Sequence, residues 1–265
     1  MHQCQIRAPR VISQGFKLYG QSFIVLLGMS VVTCALNGVT KILNKPPLIN
    51  QLAALGITLV LLVPIWCWVS LAMIRTCDAV SQGERPGFYK SLANPHGRFW
   101  LFMVNSAAIT AYILMGALVL GLLVFGALTL IRTRDPVGMV RTALWLSTAN
   151  ELLGVGLAIW FMLRVALYGV VTALETPKQH WSWPLKRSWQ LMRGHMWRGV
   201  GAWAVPFICS VPGAIVTILA YDNIRTRAIA HWGLYWAGTA LSALCWPLYV
   251  ATGVALYRAI HTEKA

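Results

Sequence analysis

The chain has 265 residues, 58% hydrophobic and 11% charged, where a soluble domain carries about 25% charged residues. Twenty-two Lys and Arg against seven Asp and Glu give a net charge of +15. A mean hydropathy of +0.64 excludes an ordinary soluble domain, and it leaves a nucleic-acid partner no soluble surface to bind.

The apolar residues gather into six long runs that charges bracket. The first lies between Lys17 and Lys41, the second between Lys45 and Arg75, the third between Arg98 and Arg132. The fourth lies between Glu151 and Glu175 with Arg164 inside it, the fifth between Arg198 and Asp222, the sixth between Arg227 and Arg258. Each can supply the roughly 20-residue helix that spans a bilayer core. Hydrocarbon offers no partner to free backbone groups, so helices are expected. The expected fold is an all-α integral membrane protein with six transmembrane helices in one polytopic domain, residues 1–265. The basic flank of the first run would suit a cleaved leader, and Val31-Val-Thr-Cys34 is close to a lipidation box. Thr33 is a poor residue before the cysteine, and five more runs follow, so a retained helix is expected.

Between the runs the basic residues alternate in density. With six spans, the N-terminal segment, second loop, fourth loop and C-terminus hold fourteen Lys and Arg, and the opposite loops hold seven. Cytoplasmic loops carry the excess, which is expected to place both termini in the cytoplasm. Anionic inner-leaflet lipid is the expected partner of those segments.

A weak threefold repeat runs through the chain, over 8–75, 85–175 and 182–261. Gly194-His-Met-Trp197 matches Gly97-Arg-Phe-Trp100, with Phe88, Lys90, Ser91 and Leu92 falling on Leu185, Arg187, Ser188 and Trp189. Gly20-Gln-Ser-Phe23 is a fainter copy. Each copy is a cytoplasmic amphipathic surface segment, a glycine, an aromatic anchor and a helical hairpin, so three hairpins are expected. In the third copy Leu185, Trp189, Met192 and Met196 form a helical stripe opposite Lys186, Gln190 and Arg193. Such a helix lies in the headgroup boundary, with Trp183, Lys186, Arg187, Trp189, Arg193, Trp197 and Arg198 as the lipid-facing set. Gly194 offers the break into the next span. In the second copy a helix is expected to start near Pro86 and stop before Pro95.

The remaining punctuation is sparse. Lys45-Pro-Pro-Leu48 and Arg132-Thr-Arg-Asp-Pro136 read as external turns, and residues 137–150 as an external interfacial piece. Pro64, Pro206, Pro212 and Pro247 fall inside spans, where membrane helices tolerate them. The six cysteines form no CxxC pair and read as small apolar packing residues. The six histidines are dispersed, and no two of the seven acids lie within four residues of each other. No hydrolase, metal or nucleotide fingerprint occurs, so no catalytic residue, metal or cofactor is expected.

Arg164 is the residue most at odds with its surroundings. An Arg at mid-span costs about 2.5–3.5 kcal/mol on insertion scales, so it must face protein, water or an acidic partner. Glu151 and Glu175 are 13 and 11 residues away on the same helix. That is roughly 16–20 Å, too far for a direct pair. Asn105, Asp78 or a lipid phosphate are the candidate partners, in an intramembrane polar or anion site that also takes in Glu175. Glu175 can also close its span by pairing with Lys178, Lys186 or Arg187.

Arg164-Val-Ala-Leu, Leu174-Glu175, Lys186-Arg-Ser-Trp-Gln-Leu-Met-Arg-Gly-His-Met-Trp-Arg198 and Leu256-Tyr-Arg258 together carry a resemblance. The pattern resembles the integral membrane domain of some bacterial glycerophosphodiester phosphodiesterases, and YciC-like stand-alone membrane proteins. It covers residues 160–200 best and the whole length loosely. The resemblance implies a six-helix membrane domain of poorly defined role, while phosphodiesterase activity belongs to a separate soluble barrel domain. The expected function is non-enzymatic membrane or lipid organisation, or partner assembly, through basic surface helices. A small transporter with an anion site at Arg164 is the alternative, and a lipid-modifying enzyme comes last.

Overall fold

The computed structural model describes residues 8–43, 57–93, 98–130, 136–176, 180–223 and 229–264. Among them every regular element is helical. The first two helices, α1 (Ala8–Gln21) and α2 (Phe23–Leu43), meet at an 85° bend. Ser22 sits at the corner, where its hydroxyl takes the Leu18 carbonyl at 2.5 Å, the back-bonding that bends helices. A π turn, Thr58–Leu62, leads into α3 (Val63–Ser81). Pro64, in the first turn of α3, has no N–H for the Val60 carbonyl, and the wider turn stands at that gap. Helix α3 ends in a Schellman closure. Gly83 at φ +86° bonds back to Val80, and Glu84 to Ala79, each at 3.0 Å.

Short α4 (Phe88–Leu92) precedes α5 (Phe99–Leu130). Helix α6 (Pro136–Val165) is followed by a two-residue turn and α7 (Tyr168–Leu174). Then come α8 (Trp183–Met192), α9 (Met196–Asn223) and α10 (Ile229–Lys264). Among the described residues five stretches are long and apolar enough to cross a membrane: Val60–Ser81, Phe99–Leu123, Leu152–Leu174, Met196–Ala220 and Gly233–Thr262. The bent α1–α2 pair makes a sixth if it counts as one span. The chain is a multi-pass, all-helical membrane protein.

Antiparallel neighbours hold the long helices together. Gly213 of α9 and Gly238 of α10 meet so closely that a Cβ on either would stand 2.9 Å from the other's carbonyl oxygen. Such contacts let helix backbones approach where no hydrophobic effect drives them together. The same seam continues through Cys245 Sγ on the Cys209 carbonyl at 3.3 Å, and the Ser210–Tyr249 hydroxyl pair at 3.3 Å. Tyr112 of α5 stacks on Phe161 of α6, with centroids 6.0 Å apart.

Packing is concentrated at one end of the bundle. The buried core runs from Cys67 to Cys77 in α3, from Leu167 to Ala173 in α7 and from Ala251 to Ile260 in α10. Val11 and Leu18 of α1, Leu26 and Met29 of α2, and Leu191 and Met192 of α8 complete it. The short helices dock on this end. A Cβ at Gly15 of α1 would meet Thr252 Oγ1 of α10 at 2.8 Å, and Phe88 of α4 lies against Gly28 of α2. Away from this end the described residues of α5 are largely unburied within the protein, while α9 and α10 stay in contact. Of the Phe99–Leu123 window only 6% is buried within the protein, against 56% for Gly233–Thr262, as expected where the neighbour is lipid.

Two expectations need correction. Residues 137–150 are not a separate interfacial piece, because α6 runs unbroken from Pro136 through them to Val165. The fourth run is not one continuous helix, since the chain turns at residues 166–167. Against the protein α8 buries Pro184, Ser188, Leu191 and Met192, while Leu185, Trp189 and Met196 of the apolar stripe are half-buried. Ser188 docks on the turn before α7. The external turns expected at 45–48 and 132–135 lie outside the described residues.

Candidate functional site

Polar side chains inside this protein collect at the packed end, where they tie together elements distant in sequence. Asp78, in the last turn of α3, accepts from Arg258 of α10: Nε at 2.9 Å and Nη2 at 2.5 Å, both to Oδ1. Gln82 Nε2 donates to the other oxygen at 2.8 Å. Glu175, the residue that closes α7, holds a second junction. Arg187 Nε of α8 lies 3.2 Å from both of its oxygens, and Tyr257 of α10 donates to Oε1 at 3.0 Å. One carboxylate thus joins α7, α8 and α10. Arg98, just before α5, donates to the Ala173 carbonyl of α7. Asn105 of α5 donates to Leu101 O at 2.7 Å and to Trp181 O at 3.0 Å, while its own oxygen is buried without a partner.

Ser188 was not singled out by the sequence reading. It is fully buried, donates to the Arg164 carbonyl at 3.2 Å and accepts from the Leu167 amide at 3.1 Å. These are backbone groups that the turn between α6 and α7 releases from the helical ladder. One hydroxyl therefore satisfies both sides of the break. Its correspondence to Ser91 in the repeat was the available signal. Ser91 is buried too, and it bonds back to the Gly87 carbonyl at 3.0 Å.

Arg164 occupies the last turn of α6, immediately before that break. Its guanidinium carbon lies 5.5 Å from the Trp160 ring centroid and 5.1 Å from that of Trp189 on α8. The two indoles meet edge to face at 5.2 Å. Desolvated cation–π contacts reach about 2 kcal/mol each. Two of them offset an insertion cost of about 2.5–3.5 kcal/mol. Arg164 Nε is buried with no hydrogen bond, and among the described residues no carboxylate pairs with it. The partners proposed from sequence are engaged elsewhere: Asp78 with Arg258, Asn105 with the Leu101 and Trp181 carbonyls. Arg164, Asp78, Asn105 and Glu175 take separate partners and do not form one polar site.

The residues expected to face lipid divide into two groups. Lys186 and Arg193 are exposed, Arg198 is half-buried, and Trp197 is 86% exposed. Arg187 turns to Glu175, Trp189 to Arg164, and Trp183 packs against the core. The division follows the seating of α8, whose Ser188 bonds the turn before α7. Trp197 has counterparts in Phe23 and Trp100, also exposed at the starts of α2 and α5. Gly194, at φ +89°, makes the turn from α8 into α9.

Two cavities open at this end. One of about 430 Å³ is lined by Arg75, Asp78, Gln82, Glu84 and Arg98 among others. The larger, about 590 Å³, lies between α1, the end of α3 and the end of α10. Neither is lined by Arg164. Both paired carboxylates of this end, Asp78 and Glu175, are held by guanidinium groups, which makes them joints between helices. The chain matches none of the protein-family models, curated proteins or solved structures with which it was compared.

Proposed function

We propose that this chain is a non-enzymatic bacterial inner-membrane protein that gathers anionic lipid, or partners held with it, at its basic end. One observation carries the reading. The packed core, the paired carboxylates and the exposed cations of α1, α4 and α8 share one end of the bundle, and each of α2, α5 and α9 begins there with an exposed aromatic. Aromatic rings at that position suit the membrane–water interface, and Lys and Arg beside them suit anionic headgroups. On this reading the fold is three helical hairpins, each entered from a cytoplasmic surface segment, with both termini in the cytoplasm. Kinship with the membrane domain of glycerophosphodiester phosphodiesterases belongs to the same proposal, resting on Arg164, Glu175 and the 186–198 segment; phosphodiester cleavage does not.

The transport alternative asks for a water-accessible cavity at Arg164. The indole clamp and the absence of Arg164 from both cavity linings favour a structural role instead.

The test is the lipid that stays with the protein after extraction from bilayers mixing anionic and zwitterionic phospholipid. The expected result is enrichment of anionic lipid over the bulk bilayer that declines as salt is raised. Bound lipid of bulk composition would overturn the proposal.

A further inference from the structure

The larger cavity has the chemistry of a specific headgroup site. Its α1 wall carries Arg10, Gln14, Lys17 and Gln21, spaced four, three and four residues apart, which is one helical stripe. Arg258 of α10 stands on the opposite wall. Three cations and two amides therefore line one groove, and no carboxylate is among the lining residues. Asp78, the acid closest in bonding to this group, already accepts Nε and Nη2 of Arg258. Arg10 and Lys17 are exposed and carry no ion pair among the described residues. Two helical turns separate them, roughly 10 Å along the axis.

The floor is of different character. Val11 and Leu18 of α1 and Ala255 and Ala259 of α10 line the same groove. Gly15 lets α1 sit directly on Thr252, which brings the polar stripe level with the end of α10. A volume of about 590 Å³ is within the range of small-molecule sites, roughly 300–1,000 Å³. A cationic rim over an apolar floor matches an amphiphile better than a free anion.

We infer that this groove binds the phosphate headgroup of one anionic phospholipid, with Arg10 and Lys17 on the phosphate, Gln14 and Gln21 on the headgroup hydroxyls, and the Asp78-paired Arg258 forming the opposite wall. The inference rests on the proposed engagement of anionic lipid and assigns it a place. It differs from a diffuse basic surface because Lys186 and Arg193 of α8, equally exposed, do not line the groove.

The experiment titrates the full-length protein with phosphatidylglycerol and with phosphatidylcholine and counts bound lipids by native mass spectrometry. The wild type is compared with Arg10→Gln/Lys17→Gln and with Lys186→Gln/Arg193→Gln. All four positions are exposed, and a thermal melt of each variant checks the fold. The groove pair should weaken the tightest phosphatidylglycerol by on the order of tenfold, while the α8 pair leaves it nearly unchanged. Wild-type affinity in the groove pair, or equal losses in both pairs, would overturn the site while leaving the broader reading intact. No preference of the wild type for phosphatidylglycerol over phosphatidylcholine would overturn both. Excess glycerol phosphate should displace the lipid weakly; binding of glycerol phosphate as tight as that of the lipid would assign the groove to a soluble phosphate ester and overturn the lipid occupant.

Discussion

Arg164 and Trp189 meet across a helix break, and their contact explains why an arginine survives inside an apolar run. The guanidinium needs a planar surface here, because among the described residues its neighbours supply indole faces and no carboxylate. Trp189→Ala should therefore lower stability by about 2 kcal/mol or more, whereas Trp197→Ala, at an exposed ring, should cost less than about 0.5 kcal/mol. Thermal melts in one detergent would check the ranking, and equal effects would contradict it. Ser188→Ala should also destabilise, by about 1–3 kcal/mol, because it leaves the Leu167 amide and the Arg164 carbonyl without their shared partner. Ser188→Thr, which keeps the hydroxyl, should recover part of the loss. Of these residues Arg164 was conspicuous in the sequence as a charge out of place. Its partners were not, since a ring 25 residues away carries no mark distinguishing it from twelve other tryptophans. The Glu175–Arg187 pair was among the pairings expected, because helix ends adjacent in sequence bring their charges together. Asp78 and Arg258, 180 residues apart, were not associable without the fold.

Short helices lock the long ones. Helix α1 lies at 85° to α2 and packs on α10; α4 packs on α2 and α3; α8 packs on α6 and α7. Two glycines make this possible in different ways. Gly194 adopts φ +89°, so Gly194→Val should strain the entry to α9 and destabilise by about 1–2 kcal/mol even though nothing surrounds the position. Gly15 has ordinary backbone but no room, so Gly15→Leu should push α1 off Thr252 and destabilise through overpacking by about 1–3 kcal/mol. A protease that cleaves near α1 would report the second effect selectively. The helices themselves were legible from the apolar runs and the glycine–aromatic punctuation. The apolar stripe of α8 was read as facing the headgroup boundary, and the face that meets the protein was not legible. That contact is made by a serine that caps a break no local sequence signal announces.

At the scale of the whole molecule the asymmetry is the main finding. The buried core and the charge-bearing joints occupy one end, and beyond it the described part of α5 is largely unburied within the protein while α9 and α10 remain paired. Composition forecast a membrane protein of about six helices, because twenty-residue charge-free runs have few other uses. It did not forecast that the buried core would concentrate at the basic end, since the same runs could pack evenly along their whole length. The central claim is that anionic lipid gathers at this end. The most direct measurement is photocrosslinking with an anionic phospholipid carrying its reactive group in the headgroup, followed by mapping of the labelled peptides. Labels on α1, α4, α8 and the end of α10, lost when zwitterionic lipid replaces the anionic probe, are the predicted result. Labels spread equally to the segments around Arg132–Arg141 and Arg225–Arg227 would contradict the account.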